Sequence, residues 1–167
     1  MTYDWPLYFC LFLALWSAII GGVFSAFSEF IMSALLKAEP ASGIEAMQHI
    51  NRDVIKTQFV AGILSIAVFS VLFAAYSFAA FDGAALVTLI LASLVYVPSV
   101  FLMTMLGNVP MNNRLDSVDH TSAEAHSYWI EYGAKWTRLN HFRSFGSILT
   151  SGLYIFAAIT LITSGQV

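Results

Sequence analysis

Charge is scarce in this sequence. Seven Lys/Arg and ten Asp/Glu make up 10% of its 167 residues, against roughly 25% in an ordinary soluble domain. So few charges cannot cover a surface in water. With 59% hydrophobic residues and a mean hydropathy of +0.77, the composition is that of an integral membrane protein of one domain. The net charge of −3 says less than where the charges fall, and no nucleic-acid partner is expected. Cysteine is nearly absent: Cys10 alone excludes an internal disulfide and a cysteine-built zinc cluster. It reads as a small apolar residue against lipid or a neighbouring helix. A Gly-rich phosphate loop, a serine triad and an HExxH metal motif are missing too. The basic region of a signal peptide is lacking before Trp5, and the first apolar run is too long for a signal sequence, so it is expected to stay in the mature protein.

What is present is four uncharged stretches, Trp5–Ser28, Gln58–Phe81, Gly83–Asn113 and Ser144–Val167. Each exceeds the roughly 20 residues that a helix needs to cross a bilayer. The fold class follows: an all-α, four-helix transmembrane bundle, residues 1–167, with spans at about 5–30, 57–81, 84–107 and 142–164. A barrel would show short alternating segments instead. Lys37, Arg52 and Lys56 lie between spans one and two, and Arg114, Lys135, Arg138 and Arg143 between spans three and four or at the start of the fourth. The positive-inside rule then predicts both long loops in the cytoplasm and both termini outside, with Trp5 and Tyr8 as an outer-interface anchor.

Local patterns refine the bundle. Ser17, Gly21 and Ser25, with Ala18, Gly22 and Ala26 one position over, form small-residue faces on span one. These suit close packing within the bundle or pairing of two copies into a homo-oligomer. Ser144, Ser147 and Ser151 repeat the pattern on span four, and Pro98 predicts a kink in span three. The loop Lys37–Thr57 predicts an amphipathic helix with Ser42 as N-cap and Ile44, Met47, Ile50 (or Asn51) and Val54 on its apolar face. Glu45, His49 and Asp53 form its polar face, more readily solvated than metal-binding. In the second loop, Thr121-Ser122-Ala123-Glu124 fits a capping box with Thr121 as N-cap. A helix from there can run unbroken into span four.

The polar residues gather around one stretch, Asn108 to Arg143. Asn108, Asn112 and Asn113 fall where span three meets the loop, and Trp129, Tyr132, Trp136, Asn140 and Arg143 recur at steps of three or four. Polar groups next to hydrocarbon tend to face the protein interior, a cavity or a partner. Together with His141 and with Glu29 at the end of span one, these residues suit a hydrophobic aromatic small molecule that bears oxygen. Asparagine amides and an arginine bind carbonyl or phenolate oxygens, Trp and Tyr line a flat pocket, and a histidine takes a proton near neutral pH. Glu29 reads equally as a solvated side chain, a partner for Arg143 or Arg52, or a proton acceptor. An iron site built from His49, His141 and Glu29, or a bis-histidine haem, is a weaker alternative.

Asn108-Val109-Pro110-x-Asn112-Asn113, then Trp129, Trp136-Thr137-Arg138 and Asn140-His141-x-Arg143, resembles the anthrone oxygenase-like family of small membrane proteins. Gly22-x-Phe24-x-x-Phe27-Ser28 and Met47-Gln48-x-Ile50-Asn51-Arg52 are similar to it as well. One departure is Glu29-Phe30-Ile31-Met32-Ser33, where relatives more often carry an apolar residue and then Met-Pro. The resemblance implies a monooxygenase that oxidises an anthrone to an anthraquinone with O₂, without a dedicated cofactor, a haem or transition metal remaining the alternative. His141 or Glu29 would remove a proton, and Asn112 and Arg143 would stabilise the resulting anion. A non-catalytic carrier of a quinone, lipid or small aromatic compound is the competing reading, and a metal- or haem-dependent redox protein a third.

Overall fold

The structure, a computed structural model, describes residues 4–167. Five helices account for nearly all of them: α1 Trp5–Lys37, α2 Pro40–Val54, α3 Gln58–Ala80, α4 Gly83–Asp116 and α5 Ala123–Thr163. All but α2 are long and apolar enough to cross a membrane. The α3–α4 turn is tight, and Gly83 at φ +55 supplies the left-handed residue it needs. Beside it, Gln166 ties the C-terminal end to Asp82 through a hydrogen-bonded pair of 3.1 and 3.2 Å. The opposite, loop side of the bundle carries α2 and the first third of α5.

Within the span region α1 and α5 make the most extensive helix pair. Their small faces meet: Ser17 and Gly21 are buried, as are Ser144, Ser147 and Ser151. A Cβ on Gly21 would lie 3.2 Å from the Ser147 Cβ. The neighbouring face faces outward, since Gly22 and Ala18 are exposed. Leu13, Ile20, Phe24, Ile66, Phe73, Leu89, Tyr96 and Leu161 fill the seam between the helices. Two buried tyrosine hydroxyls are satisfied, Tyr96 donating to the carbonyl of Ile63 and Tyr154 to the Ser70 hydroxyl. Leu15, Leu72, Leu94, Phe145 and many similar side chains face outward, as a lipid-facing surface requires.

A second core forms outside the spans, where Met32, Ile44, Met47, Leu115, Tyr128, Trp129 and Tyr132 pack into a cap. Gln48 locks α2 onto the end of α4 by donating to the carbonyls of Leu115 (2.8 Å) and Val118 (2.9 Å). Two helix starts differ from the sequence expectation. The cap of α2 is Glu39, whose carboxylate accepts from the Ala41 and Ser42 amides; Pro40 takes the first helical position and Ser42 falls inside the helix. The cap of α5 is Ser122, which accepts from the Ala125 amide. Thr121 is already engaged, because its amide and hydroxyl both donate to Asp119; these bonds hold the Asp119 carboxyl below its usual pKa. Pro98 produces a π-helical stretch, Val97–Leu102, followed by a second at Thr104–Asn108. A third interrupts α1 at Phe27–Ile31.

The cap leaves no room beside α1. A Cβ on Gly43 would press into the Leu35 carbonyl oxygen and approach the Trp129 ring at 3.3 Å, whereas one on Gly22 meets nothing within 4 Å. Gly43→Ala is therefore expected to lower stability by roughly 1–3 kcal/mol through overpacking against a backbone atom, and Gly22→Ala to leave it unchanged or slightly raised. Thermal melts in one detergent check the pair; equal melting temperatures would mean the cap does not pack this tightly.

Candidate functional site

Arg143 sits within the seam at its loop-side end, 5% exposed. One terminal nitrogen donates to the Asn140 side-chain oxygen at 2.6 Å and the other reaches the Thr104 hydroxyl at 3.4 Å. The guanidinium lies 4.2 Å from the Phe24 ring centre and 5.2 Å from that of Trp136. Its Nε has no partner. Among the described residues no carboxylate stands within ion-pairing distance of it; the Lys/Arg ion pairs are Arg52–Asp116 and Lys135–Glu131, and His120 lies 3.9 Å from Asp119. A cation held near hydrocarbon by neutral dipoles and ring faces keeps a desolvation cost of several kcal/mol that an anionic ligand would offset.

Asn140 holds this arrangement in place. Its amide nitrogen donates to the Phe24 carbonyl and to the Ser28 hydroxyl, both at 2.6 Å, while its oxygen faces Arg143. These bonds fall where α1 widens into its π turn, and an inserted polar side chain is a recognised cause of such a break in the helical ladder. Asn112 is fixed from the other side. Its oxygen accepts from the Trp136 indole (2.9 Å) and the Tyr132 hydroxyl (2.8 Å). An indole N–H can only donate, so the amide orientation is settled and the Asn112 NH₂ is left for the cavity it lines. Asn108 donates to the Trp136 carbonyl at 3.2 Å, and its own oxygen is buried without a partner.

These groups head a cavity of about 370 Å³, within the usual range for small-molecule sites. Thr104, Asn108, Asn112 and Arg143 line its polar end, together with Asn51, whose amide nitrogen is also unpartnered. Phe59, Val60, Ile63 and Leu64 of α3, with Val54, Ile55 and Met105, make apolar walls. Asn113, Arg52 and Asp116 stand at the mouth, the last two paired at 2.6 Å. A smaller space of about 80 Å³ continues past Arg143 between Phe24, Phe27 and Trp136.

The structure thus brings together Asn108, Asn112, Asn113, Asn140 and Arg143, with Trp136 alongside. Trp129 and Tyr132, expected from their spacing to wall the pocket, do not line this cavity; they stack at 5.5 Å inside the cap core, because α2 covers that part of the stripe. Nor does the cavity include His141 or Glu29. Both are exposed, and His141, two residues from Arg143, points about 200° away around α5, where it lines a separate groove. His49 is exposed on α2, and among the described residues no three His, Cys, Asp or Glu side chains converge as a ligand set. Sequence reasoning missed Asn51, Thr104, Phe59 and Asp116. Asn51 was signalled by its motif, whereas Thr104 carried no signal, since a threonine in a span usually bonds its own helix, as its 2.7 Å bond to the Val100 carbonyl illustrates.

Asn112→Ala would strand the Trp136 and Tyr132 donors and is expected to cost about 1–3 kcal/mol of stability, whereas Asn113→Ala, at an exposed position, is expected to fall within about 0.5 kcal/mol of the parent. Melting followed by tryptophan fluorescence distinguishes them.

A family model described as anthrone oxygenase matches residues 53–162, about two thirds of the chain. No curated protein and no solved structure matches.

Proposed function

Because the chain belongs to the anthrone oxygenase family, we propose that it is a membrane-embedded oxygenase that oxidises a hydrophobic, hydroxylated aromatic of the anthrone class with O₂. The observation that carries this reading is Arg143, a buried cation with no carboxylate partner at the head of an apolar-walled cavity. The unpartnered groups around it complement such a ligand. Arg143, Asn51 and the Asn112 amide offer donors to an enolate or phenolate oxygen, and the Asn108 oxygen offers an acceptor to a neighbouring hydroxyl. Both long loops lie on the cytoplasmic side in this reading, since the basic residues are confined to them and to the adjoining start of span four.

The chemistry then needs little beyond placement and charge. An anthrone loses a proton from its CH₂ carbon to a base at the mouth, for which Asp116 is the carboxylate lining the cavity. His141 and Glu29 take no part. Arg143 and Asn112 hold the resulting oxyanion, so that ionisation is favoured in a site of low polarity. The electron-rich carbon transfers electrons to O₂ and forms a C–O bond, giving a hydroperoxide once protonated. Loss of the remaining hydrogen on that carbon and cleavage of the O–O bond release water and leave a carbonyl. One anthrone and one O₂ give one anthraquinone and one water.

Oxygen uptake by the purified protein with an added anthrone tests the reading. Arg143→Gln is expected to slow turnover by about 10²-fold or more, the effect of losing one preorganised oxyanion donor, while Lys135→Ala, an exposed change far from the cavity, leaves it unchanged. Saturable quenching of Trp136 by a hydroxyanthraquinone without any oxygen uptake would instead make the protein a carrier and overturn the enzymatic reading.

A further inference from the structure

We propose that the groove between α1 and α5, on the face of α5 turned away from Arg143, binds the headgroup of an anionic phospholipid in the loop-side leaflet. The groove measures about 590 Å³ and is lined by Ser28, Ser33 and Lys37 from α1 and by Thr137, Arg138 and His141 from α5. Two cations, an imidazole and three hydroxyls converge there from two helices. Neither Lys37 nor Arg138 joins an ion pair among the described residues. The nearest acid on the same stretch of α5, Glu131, is engaged by Lys135 at 2.5 Å, and Glu29 is exposed and outside the lining.

The depth of the groove selects a lipid. Helix α3 has 23 residues, about 34 Å, close to the thickness of the hydrocarbon layer. Its start therefore marks the loop-side edge of that layer. Phe59, the second residue of α3, packs edge-on against Phe24 at 5.3 Å, so Phe24 lies at the same level and Ser28 one turn further out, among headgroups. From His141 the same stripe of α5 continues inward through Phe145 and Ile148, 67% and 54% exposed, which gives acyl chains an apolar track below the cations. A soluble anion would have no use for that track. Basic pockets between membrane helices are known receptors for acidic headgroups. This site is independent of the cavity and of the proposed oxygenase chemistry.

Native mass spectrometry of the detergent-purified protein with equal phosphatidylglycerol and phosphatidylcholine is the test. Wild type is expected to retain phosphatidylglycerol preferentially, and Lys37→Gln and Arg138→Gln each to reduce that preference about fivefold, the effect of one basic side chain at a membrane surface. Arg138→Glu should abolish it, and Lys56→Gln, at the exposed α2–α3 link, should leave it intact. Equal retention of the two lipids by wild type, or unchanged preference in the Lys37 and Arg138 variants, would overturn the proposal. Displacement of phosphatidylglycerol by millimolar inorganic phosphate would overturn it as well, by making the groove a soluble-anion site.

Discussion

A guanidinium removed from water without a counter-ion is the constraint on which this structure turns. Arg143 is buried near the edge of the span region, where a lone cation is costly. Among the described residues, the groups that bond to it or stack on it are neutral: the Asn140 oxygen, the Thr104 hydroxyl and the faces of Phe24 and Trp136. Such a shell softens the charge without cancelling it. A carboxylate in the same place would have made a stable, inert pair and removed the electrostatic reason for an anion to enter.

Holding that shell in position explains features that otherwise look unrelated. Asn140 can face Arg143 only because its amide nitrogen is taken up by the Phe24 carbonyl and the Ser28 hydroxyl at the π turn of α1. Thr104 and Asn108 open and close the second π-helical stretch of α4, and both line the cavity. π turns carry a conformational cost and recur at functional sites; here all three lie toward the loop side of the bundle, and one of them, Thr104–Asn108, lines the cavity directly. The cap supplies the rest. Gln48 and the Arg52–Asp116 pair anchor α2 to α4, which brings Asn51 over the cavity. The half-exposed ion pair contributes little to stability, so most of that anchoring comes from Gln48 and the buried Ile44 and Met47.

The bundle was legible because its determinants are one-dimensional. Long uncharged runs and a 3.6-residue period survive any packing arrangement, and the stripe Trp129, Tyr132, Trp136, Asn140 and Arg143 is buried along one face of α5. What the period does not encode is the partner of each residue. The same stripe passes from the cap core at Trp129 to the cavity head at Arg143, and only the position of α2 decides where one becomes the other. His141 was grouped with Asn140 and Arg143 because they adjoin in sequence, yet on a helix adjacent residues do not face the same way. Asp116 reaches the cavity only through the way the chain folds around it, which no local pattern announces. The shifted helix starts have a similar origin: Glu39 and Ser122 cap because Pro40 and Asp119 preset the chain around them.

The two faces of α5 divide the labour of the loop-side end. One presents Arg143, shielded from water and lipid by α1, α4 and the cap, to a cavity whose walls are apolar. The other presents Arg138 and His141, exposed, above an apolar track. The same residue type therefore serves opposite ends. Buried and deprived of a counter-ion, an arginine is a strong local attractor for an anion of matching shape; exposed in the headgroup zone, it is a weak, screened one that many acidic headgroups satisfy. The apolar side chains of α3 and Met105 line the cavity beside Arg143. In the proposed reaction a hydrophobic substrate would ionise only after reaching Arg143, so the charged form arises where it is held and need not cross the hydrocarbon.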